Sequence, residues 1–198
     1  NDSSGNNNDF TVANFAAHDQ LLDSPTFGSS SSGNFPTLNP LFKHENVTIS
    51  EGNLKHTCST NQRGVMCNMQ IPKSGKWYWE HLSSNNGGKS IEADSTAAYG
   101  DGWAEGDIVG IEFDADNGTI NFSNNGSWQG DISLTAAQQA KEWFPFIAMG
   151  GGTSAEVGIF NFGQDGTFAG EKTAQGNADG NGYGNFYYSP PSGALALC

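Results

Sequence analysis

The sequence predicts an all-β fold, an antiparallel β-sandwich with an extended N-terminal arm and one short helix. From residue 46 onward, short runs of alternating apolar and polar residues recur between Gly, Asn, Pro and Asp. A period of two is typical of a half-buried strand, and recurrent turn residues favour a sandwich or barrel of about eight strands. The predicted strands are VTIS from 47, NLKHTC from 53, GVMCNMQ from 64, GKWYWEHL from 75, DIVGIEFDA from 107, TINFSN from 119, FPFIAM from 144 and AEVGIFNF from 155.

The N-terminal region differs in composition from the rest of the chain. Residues 1–35 are rich in Asn, Ser, Gly and Asp, and such a segment buries too little apolar area to offset its own ordering entropy. We therefore expect a low-complexity arm at 1–35 and one β-sandwich domain at 36–198, an ordinary length for a single domain. Two apolar patches in the arm, FTVANFAA at 10–17 and QLLDSP at 20–25, indicate that parts of it dock on this domain or on a neighbouring subunit.

The charge of the chain argues against two classes of partner. Its 198 residues include 21 acids and 8 bases, which gives a formal net charge of -13. Nucleic acids and anionic lipid surfaces attract clustered Lys and Arg, so we expect neither nucleic acid binding nor membrane insertion. No apolar run approaches the roughly 18 residues of a membrane-spanning helix, and the first residues lack the pattern of a signal peptide.

Cysteine and histidine usage predicts neither a metal site nor a cofactor. The three cysteines are too few for a disulfide scaffold, and no Cys or His spacing is typical of zinc. Cys58 and Cys67 flank a short turn, so a disulfide between them is left open. The stretch DADNG at 114–118 does not complete a calcium loop. Adventitious ion binding there, or by GNADGNG at 176–182, also stays open.

Residues 107–124 predict a β-hairpin with a defined register. Asn-Gly at 117–118 favours a two-residue type I′ turn, because both of its central positions need a positive φ. This register pairs Asp116 with Thr119, Ala115 with Ile120 and Phe113 with Phe122. Apolar residues then share one face of the hairpin and polar residues the other.

The apolar faces of the strands predict the core. Alternation places Trp77 and Trp79 on one face of their strand, and Tyr78 and Glu80 on the other. Tryptophans at this spacing are far more often core residues than a ligand platform. The predicted core residues are Trp77, Trp79, Ile111, Phe113, Ile120, Phe122 and Phe162.

Three acids, Glu112, Asp114 and Asp116, alternate along the polar face of the hairpin. Their spacing of about 6.6 Å along a strand would suit the two carboxylates of a glycoside hydrolase, and it superficially resembles the E-x-D-x-x-E motif of laminarinase-like glucanases. The third acid is displaced by one residue from that motif, however, and Asp116 flanks a turn, where Asp is favoured for local hydrogen bonding. We therefore predict no catalytic residues.

Two further segments interrupt the strand pattern. SLTAAQQAKEW at 133–143 predicts a short helix with Ser133 as its N-cap. The Gly-rich stretch that ends in YYSPPSG, residues 170–193, predicts a long excursion without regular structure.

In the turn-rich stretch AYGDGWAEGD, Tyr99, Asp101 and Trp103 combine aromatic rings with a carboxylate, which suits the binding of a sugar. The alternative for Trp103 is a loop anchor packed on the domain.

Several of these pieces together resemble a SPRY domain. They are SGKWYWE at 74–80, GDIVGIEFDADNGTINFSNNGSW at 106–128, FPFIAMGG at 144–151 and FNFGQDGTF at 160–168. YYSPPSGALALC at 187–198 and the stretch LDSPT to NFPTLNPL at 22–41 resemble segments of tail-fibre and other structural proteins of tailed bacteriophages. The resemblance covers nearly all of residues 20–198.

The resemblance implies a bent, concanavalin-like β-sandwich that binds through loops at one end and has no catalytic mechanism. Between residues 82 and 89 the chain has only a few residues where the family usually inserts further strands, so part of this loop is either truncated or omitted. The expected function is a virion-surface module of a tailed phage, of fibre or adhesin type, that binds a host glycan or protein. The alternatives are a capsid or tail cement protein and, third, a polysaccharide hydrolase. The expected location is the virion surface, where the arm contacts other virion subunits in a homo-oligomer.

Overall fold

The structure is a computed structural model, and it describes residues 33–58, 63–83, 99–149 and 156–198. Over these residues the fold is the predicted antiparallel β-sandwich with one short helix. The elements are β1 (Leu38–Lys43), β2 (Val47–Ser50), β3 (Lys55–Cys58), β4 (Arg63–Cys67), β5 (Lys76–Ser83), β6 (Ile108–Asp114), β7 (Thr119–Asn124), β8 (Ser127–Ser133), α1 (Ala136–Gln139), β9 (Phe146–Met149), β10 (Glu156–Asn161) and β11 (Ala194–Ala196).

The strands form two sheets. The smaller sheet has the order β1-β4-β9, and the larger has the order β2-β3-β10-β5-β6-β7-β8. Strand β5 is central in the larger sheet, since it pairs with β6 on one side and with both β10 and the short parallel strand β11 on the other. Strand β11 therefore brings the end of the described chain back into the middle of the fold.

Among the described residues all eight predicted strands are present, and three further strands were not predicted. Strand β1 contains Pro40, which removes a backbone donor and weakens a strand pattern. Strand β8 is exposed along most of its length and carries a bulge, so its sequence SWQGDIS does not alternate. Strand β11 has only three residues, too few to show a period. Each was missed because its pairing comes from tertiary context.

The predicted register of the β6–β7 hairpin is wrong by two residues. The observed pairs are Asp114 with Thr119, Phe113 with Ile120 and Ile111 with Phe122. The loop spans 115–118, with Gly118 at a φ of 64°, and Asn117 does not take the positive φ that a type I′ turn requires. Instead, Asn117 donates from its backbone N and its Nδ2 to the Asp114 carboxylate, at 2.9 and 2.8 Å. A shift of two keeps every side chain on its predicted face.

The predicted core residues all lie in or against the hydrophobic core. Trp79, Ile111, Phe113, Ile120 and Phe162 are buried, while Trp77 and Phe122 are partly buried and pack against them. The thiols of Cys58 and Cys67 are also buried, and no disulfide joins them. Burial raises the pKa of the Cys67 thiol.

The helix is shorter than predicted and has a different N-cap. Ser133 is the last residue of β8, and Thr135 caps α1 through a capping box with Gln138. Leu134 N–H donates to Gly118 O at 2.8 Å, which holds the chain against the β6–β7 loop and delays the start of the helix. Within the described ranges, no helix is long and apolar enough to cross a membrane.

The Gly-rich excursion forms a cover over the larger sheet. Residues 170–193 contain no strand, as predicted, and neither does the loop at 163–169 that precedes them. Phe168 of the loop and Phe186 of the excursion are nevertheless fully buried. The Phe186 ring makes an edge contact with Tyr78, at 5.0 Å between ring centroids. The excursion therefore packs on the Tyr78 face of β5, the face opposite Trp77 and Trp79.

Candidate interaction surface along strand β8

The segment at 99–107, which carries the three predicted ligand-binding residues, lies along the β7–β8 hairpin. Asp101 N–H donates to Gln129 Oε1 at 3.0 Å, and Asn124 Nδ2 donates to Gly102 O at 3.4 Å. Further along, Asn125 Nδ2 donates to Asp107 Oδ1 at 2.7 Å. Contacts on both strands of the hairpin thus hold the segment in place.

Tyr99 supports this segment from within. The register of β7 and β8 shifts between Asn121 and Ser123, which leaves a bulge. The Tyr99 hydroxyl accepts from Phe122 N–H at 3.3 Å and contacts Gly130 O, so it satisfies backbone groups that the interrupted ladder leaves unpaired. The Tyr99 ring also makes an edge contact with the Phe122 ring, at 5.8 Å between centroids. Tyr99 is therefore engaged inside the protein.

The other two predicted residues differ in exposure. Asp101 is exposed, whereas Trp103 is partly buried and packs against the core. The position of Trp103 fits the loop-anchor alternative. Asp101 is the most accessible of the three residues, and it is the one that carries a carboxylate. The role of all three in ligand binding stays a prediction.

Trp128, which the sequence analysis did not single out, is the exposed aromatic residue of this region. It lies on edge strand β8 opposite Ser123 and is 37 % exposed. Its ring leans on the buried Tyr78 ring, with 6.3 Å between centroids. Tyr188 packs nearby against Gly126, where an added Cβ would meet Tyr188 Cδ1 at 3.0 Å. A tryptophan in the polar sequence SWQGDIS was the signal that could have identified this residue.

We call this region the β8 edge surface. It consists of Trp128, Tyr188, Asp131 and Asp101. Asp131 lies on the same strand as Trp128 and accepts from Asn121 Nδ2 at 2.8 Å. The surface combines one rigid, well-supported aromatic ring with carboxylates at an accessible edge, an arrangement that suits binding more than catalysis.

The three acids of the β6–β7 hairpin are engaged with neighbouring groups. Lys76 Nζ lies 3.0 Å from Glu112 Oε1 and 3.3 Å from Asp114 Oδ2, and Asp116 Oδ1 accepts from Gly75 N–H at 3.0 Å. Burial raises the pKa of Asp114, but hydrogen bonds from Asn117 and Lys76 outweigh it and lower the pKa overall. A glycosidase acid needs a raised pKa, so the hairpin does not favour acid catalysis.

Asp179, in the Gly-rich stretch where ion binding was left open, has a structural role. It is buried, and its Oδ1 accepts from the backbone N–H groups of Asn181 and Tyr183 at 2.8 and 2.9 Å. Its Oδ2 accepts from Ala196 N–H of β11 at 2.8 Å. Across the described residues, no group of three or more His, Cys, Asp or Glu side chains is placed to hold a metal.

Beneath the β8 edge surface, Glu80 ties the excursion to the sheet. Its side chain is fully buried. Oε1 accepts from Tyr78 Oη at 3.0 Å and from Tyr188 N–H at 2.7 Å, while Oε2 accepts from Asn161 Nδ2 at 3.1 Å and from Tyr187 N–H at 2.9 Å. Burial raises the pKa of Glu80 to about 7, and the hydrogen bonds oppose that rise. Because Glu80 holds the backbone of Tyr188, which belongs to the β8 edge surface, this carboxylate helps to position that surface.

A buried histidine pair lies on the other face of the same sheet. The Nε2 atoms of His56 and His81 are 2.9 Å apart and hydrogen-bonded, and the two rings stack at an interplanar angle of 11°. Both rings crowd over Gly158, where an added Cβ would lie 2.2 Å from His81 Nε2. Burial lowers the pKa of His81 to about 4, and burial together with His81 lowers that of His56 well below its ordinary value.

The two sheets, their loops and the covering excursion define one β-sandwich domain over the described residues. The chain belongs to the SPRY domain family, whose model matches residues 53–165, more than half of the sequence. The matched region runs from β3 through β10 and includes Glu80, the histidine pair and Trp128.

Two solved SPRY structures are similar to this chain at low sequence identity. The SPRY domain of human HERC1 is 13 % identical over 62 % of this chain and 96 % of its own, with a TM-score of 0.49. The PSpry domain of TRIM65 is 13 % identical over 63 % of this chain and 89 % of its own, with a TM-score of 0.42. No curated protein sequence matches the chain.

Proposed function

We propose that this SPRY domain is a non-enzymatic module that binds another protein through the β8 edge surface. The observation that carries this proposal is Trp128, an exposed tryptophan on an edge strand whose ring is supported by the buried Tyr78. Tryptophan is among the residue types that most often dominate the binding energy of interfaces. Membership of the SPRY family supports the proposal, since SPRY domains are generally protein-interaction modules.

The arrangement of carboxylates supports a non-enzymatic role over the hydrolase alternative. Glu112 and Asp114 share Lys76, and hydrogen bonds from Asn117 and Lys76 lower the pKa of Asp114, so Asp114 does not offer a protonated acid at neutral pH. Glu80 has a raised pKa, but its side chain is fully buried. A catalytic pair needs one accessible acid beside a base or nucleophile, and neither location provides both.

The biological setting is a further part of the proposal. The resemblance at residues 22–41 and 187–198 supports a virion-surface module of a tailed phage, of fibre or adhesin type, with a host protein as its target. A host glycan is the alternative ligand, for which Asp101 and Trp103 would supply a carboxylate and a ring. A capsid or tail cement protein is the alternative role, in which the arm makes the essential contact with other subunits.

The decisive variant is Trp128→Ala in the full chain, with Leu41→Ala as its control. Leu41 is 94 % exposed on the other sheet, so the control also removes an exposed apolar side chain. Binding of both variants to an array of host surface proteins and glycans is measured by surface plasmon resonance. We expect Trp128→Ala to weaken binding at least tenfold, about 1.4 kcal/mol, and Leu41→Ala to bind like the wild type.

Other outcomes of this experiment separate the alternatives. Equal binding by Trp128→Ala and the wild type would show that the β8 edge surface is not the binding site. Binding to glycans alone, lost in Asp101→Ala, would favour the glycan alternative. Deletion of residues 1–32, which leaves the buried Phe35 in place, tests the setting. Loss of particle attachment with intact target binding supports an adhesin, while loss of attachment in a chain that binds no target supports a cement protein.

A further inference from the structure

The outer face of the smaller sheet exposes large apolar side chains. Met66 on β4 is paired with Phe146 on β9, and the register of Lys43 with Val65 places Phe42 of β1 beside Met66. Phe42 is 60 % exposed and Phe146 is 55 % exposed. We call Phe42, Met66 and Phe146 the apolar stripe.

The stripe is an ordered feature of the sheet. The Phe146 ring lies over Gly64, where an added Cβ would be 2.3 Å from Phe146 Cζ and 2.7 Å from Cε2. Glycine at this position thus lets the ring lie flat across β4. The exposed apolar surface consequently runs across all three strands, and contiguous exposed apolar patches are a feature of interaction sites.

The charge of the smaller sheet differs from that of the rest of the chain. Its three strands, LNPLFK, RGVMC and FIAM, contain two bases, Lys43 and Arg63, and no acid. The whole chain, in contrast, has 21 acids against 8 bases. A segment that combines apolar side chains with negative charge would complement this sheet in both respects.

The N-terminal arm of the same chain has this composition. Residues 1–32 contain four aspartates, no Lys or Arg, and a run of large apolar residues between 10 and 22. We propose that residues 10–22 dock on the apolar stripe of their own domain. The apolar residues available for this contact are Phe10, Val12, Phe15, Leu21 and Leu22.

The length of the chain permits this contact. An extended chain covers at most about 3.3–3.6 Å per residue, so Leu22 can lie up to roughly 36 Å from Gly33. Phe42 lies nine residues after Gly33 and therefore at most about 32 Å from it, a distance that is within the reach of Leu22. A tethered segment also has an effective concentration on the order of mM, which favours the chain's own arm over the arm of a second copy.

Hydroxyl-radical footprinting of the full chain tests the proposal, because it reports the solvent exposure of individual side chains. In the variant Phe10→Ser, Phe15→Ser, Leu22→Ser, we expect oxidation of Phe42 and Phe146 to increase several-fold. Oxidation of Trp128, on the other sheet, should not change and serves as a control within the same sample. A polar arm variant, Asn6→Ser, Asn8→Ser, Asn14→Ser, should behave like the wild type.

The reciprocal variant, Phe42→Ser with Phe146→Ser, should increase hydrogen exchange at residues 10–22. Equal oxidation of Phe42 and Phe146 in the wild type and the apolar arm variant would overturn the proposal, provided that both chains give the same urea unfolding transition. Protection that disappears on roughly hundredfold dilution would also overturn it, because a tethered arm is insensitive to dilution and such a result would identify a second copy as the occupant.

Discussion

Two adjacent residues of β5, Glu80 and His81, are both buried, and they are satisfied in different ways. Glu80 lies on the face covered by the excursion and accepts four hydrogen bonds, two of them from the backbone of Tyr187 and Tyr188. His81 lies on the opposite face, where its hydrogen bond is to the similarly buried His56. The His56 Nδ1 atom has no hydrogen-bond partner among the described residues.

The comparison shows two functions for a buried polar group. Glu80 organises backbone from a segment more than 100 residues away in the sequence, so this side chain links the larger sheet to the excursion. The histidine pair joins β3 and β5, which are already held together because both pair with β10, the strand between them. Loss of Glu80 should therefore affect the fold more than loss of the histidine pair.

The largest effect is expected for Glu80→Ala. The substitution removes the acceptor of two buried donors, the Tyr78 hydroxyl and the Asn161 amide, and of two part-buried ones, the N–H groups of Tyr187 and Tyr188. Each buried group left unsatisfied costs about 1–3 kcal/mol. We expect the free energy of unfolding, measured in urea, to fall by at least about 4 kcal/mol, with faster hydrogen exchange at Tyr187 and Tyr188. Glu112→Ala is the control, since it breaks a partly exposed ion pair worth about 1 kcal/mol or less. Equal losses in the two variants would contradict the organising role of Glu80.

The next effect is a difference in pH dependence. Glu80 has its pKa raised from 4.5 to about 7, so its contribution is fully present below pH 4.5 and is lost as the pH rises through about 7. His81 has its pKa lowered from 6.5 to about 4, so its contribution is present above pH 6.5 and is lost as the pH falls through about 4. Each shift corresponds to about 3 kcal/mol, and the two oppose each other in the wild type.

Removal of the histidines should reveal the Glu80 contribution. In the double variant His56→Leu, His81→Leu, we expect the free energy of unfolding to increase by up to about 3 kcal/mol between pH 7 and pH 4.5, while the wild type changes less. Urea titrations at several pH values within this window measure both. A double variant that becomes less stable on acidification would show that Glu80 does not have a raised pKa in the folded state.

A smaller effect is expected from a double-mutant cycle within the histidine pair. Either single substitution, His56→Leu or His81→Leu, leaves one buried nitrogen unpaired and should cost about 1–3 kcal/mol at pH 7. The double variant removes both polar groups and should cost less than the sum of the two. Additive losses would mean that the 2.9 Å contact contributes nothing to stability.

How far the sequence predicts this fold is illustrated by its two Asn-Gly pairs. At Asn125-Gly126 the φ values are 49° and 80°, and Asn124 pairs with Ser127, which is a two-residue turn of the kind that Asn-Gly favours. At Asn117-Gly118 the same dipeptide lies in a longer loop, because the backbone N–H and the side-chain Nδ2 of Asn117 both donate to the Asp114 carboxylate. The hydrophobic period determined the faces of β6 and β7 correctly, whereas a local side-chain contact determined their register.

The candidate site shows the same limit. The sequence predicts ligand-binding residues in the 99–103 segment. It does not predict the exposure of Trp128, because that exposure depends on β8 being the edge strand of the larger sheet. Alternation placed Glu80 on the polar face of β5, yet that face is buried by the excursion. The pairing of Glu80 with Tyr187 and Tyr188 has no local pattern in the sequence that could reveal it.

The smallest expected effect comes from Tyr78→Phe, which removes one of the donors to Glu80. The ring and its edge contact with Phe186 remain, so the cost should be about 1 kcal/mol, the value of a single hydrogen bond. Because the lost bond favours the ionised carboxylate, the pKa of Glu80 should rise further above about 7. Tyr99→Phe is a matched control, since it also removes a hydroxyl from an internal contact but lies away from Glu80 in the hydrogen-bond network. Carboxyl NMR titration should show a raised pKa of Glu80 in Tyr78→Phe alone; an unchanged value would mean that burial and the backbone donors determine the charge of Glu80 without Tyr78.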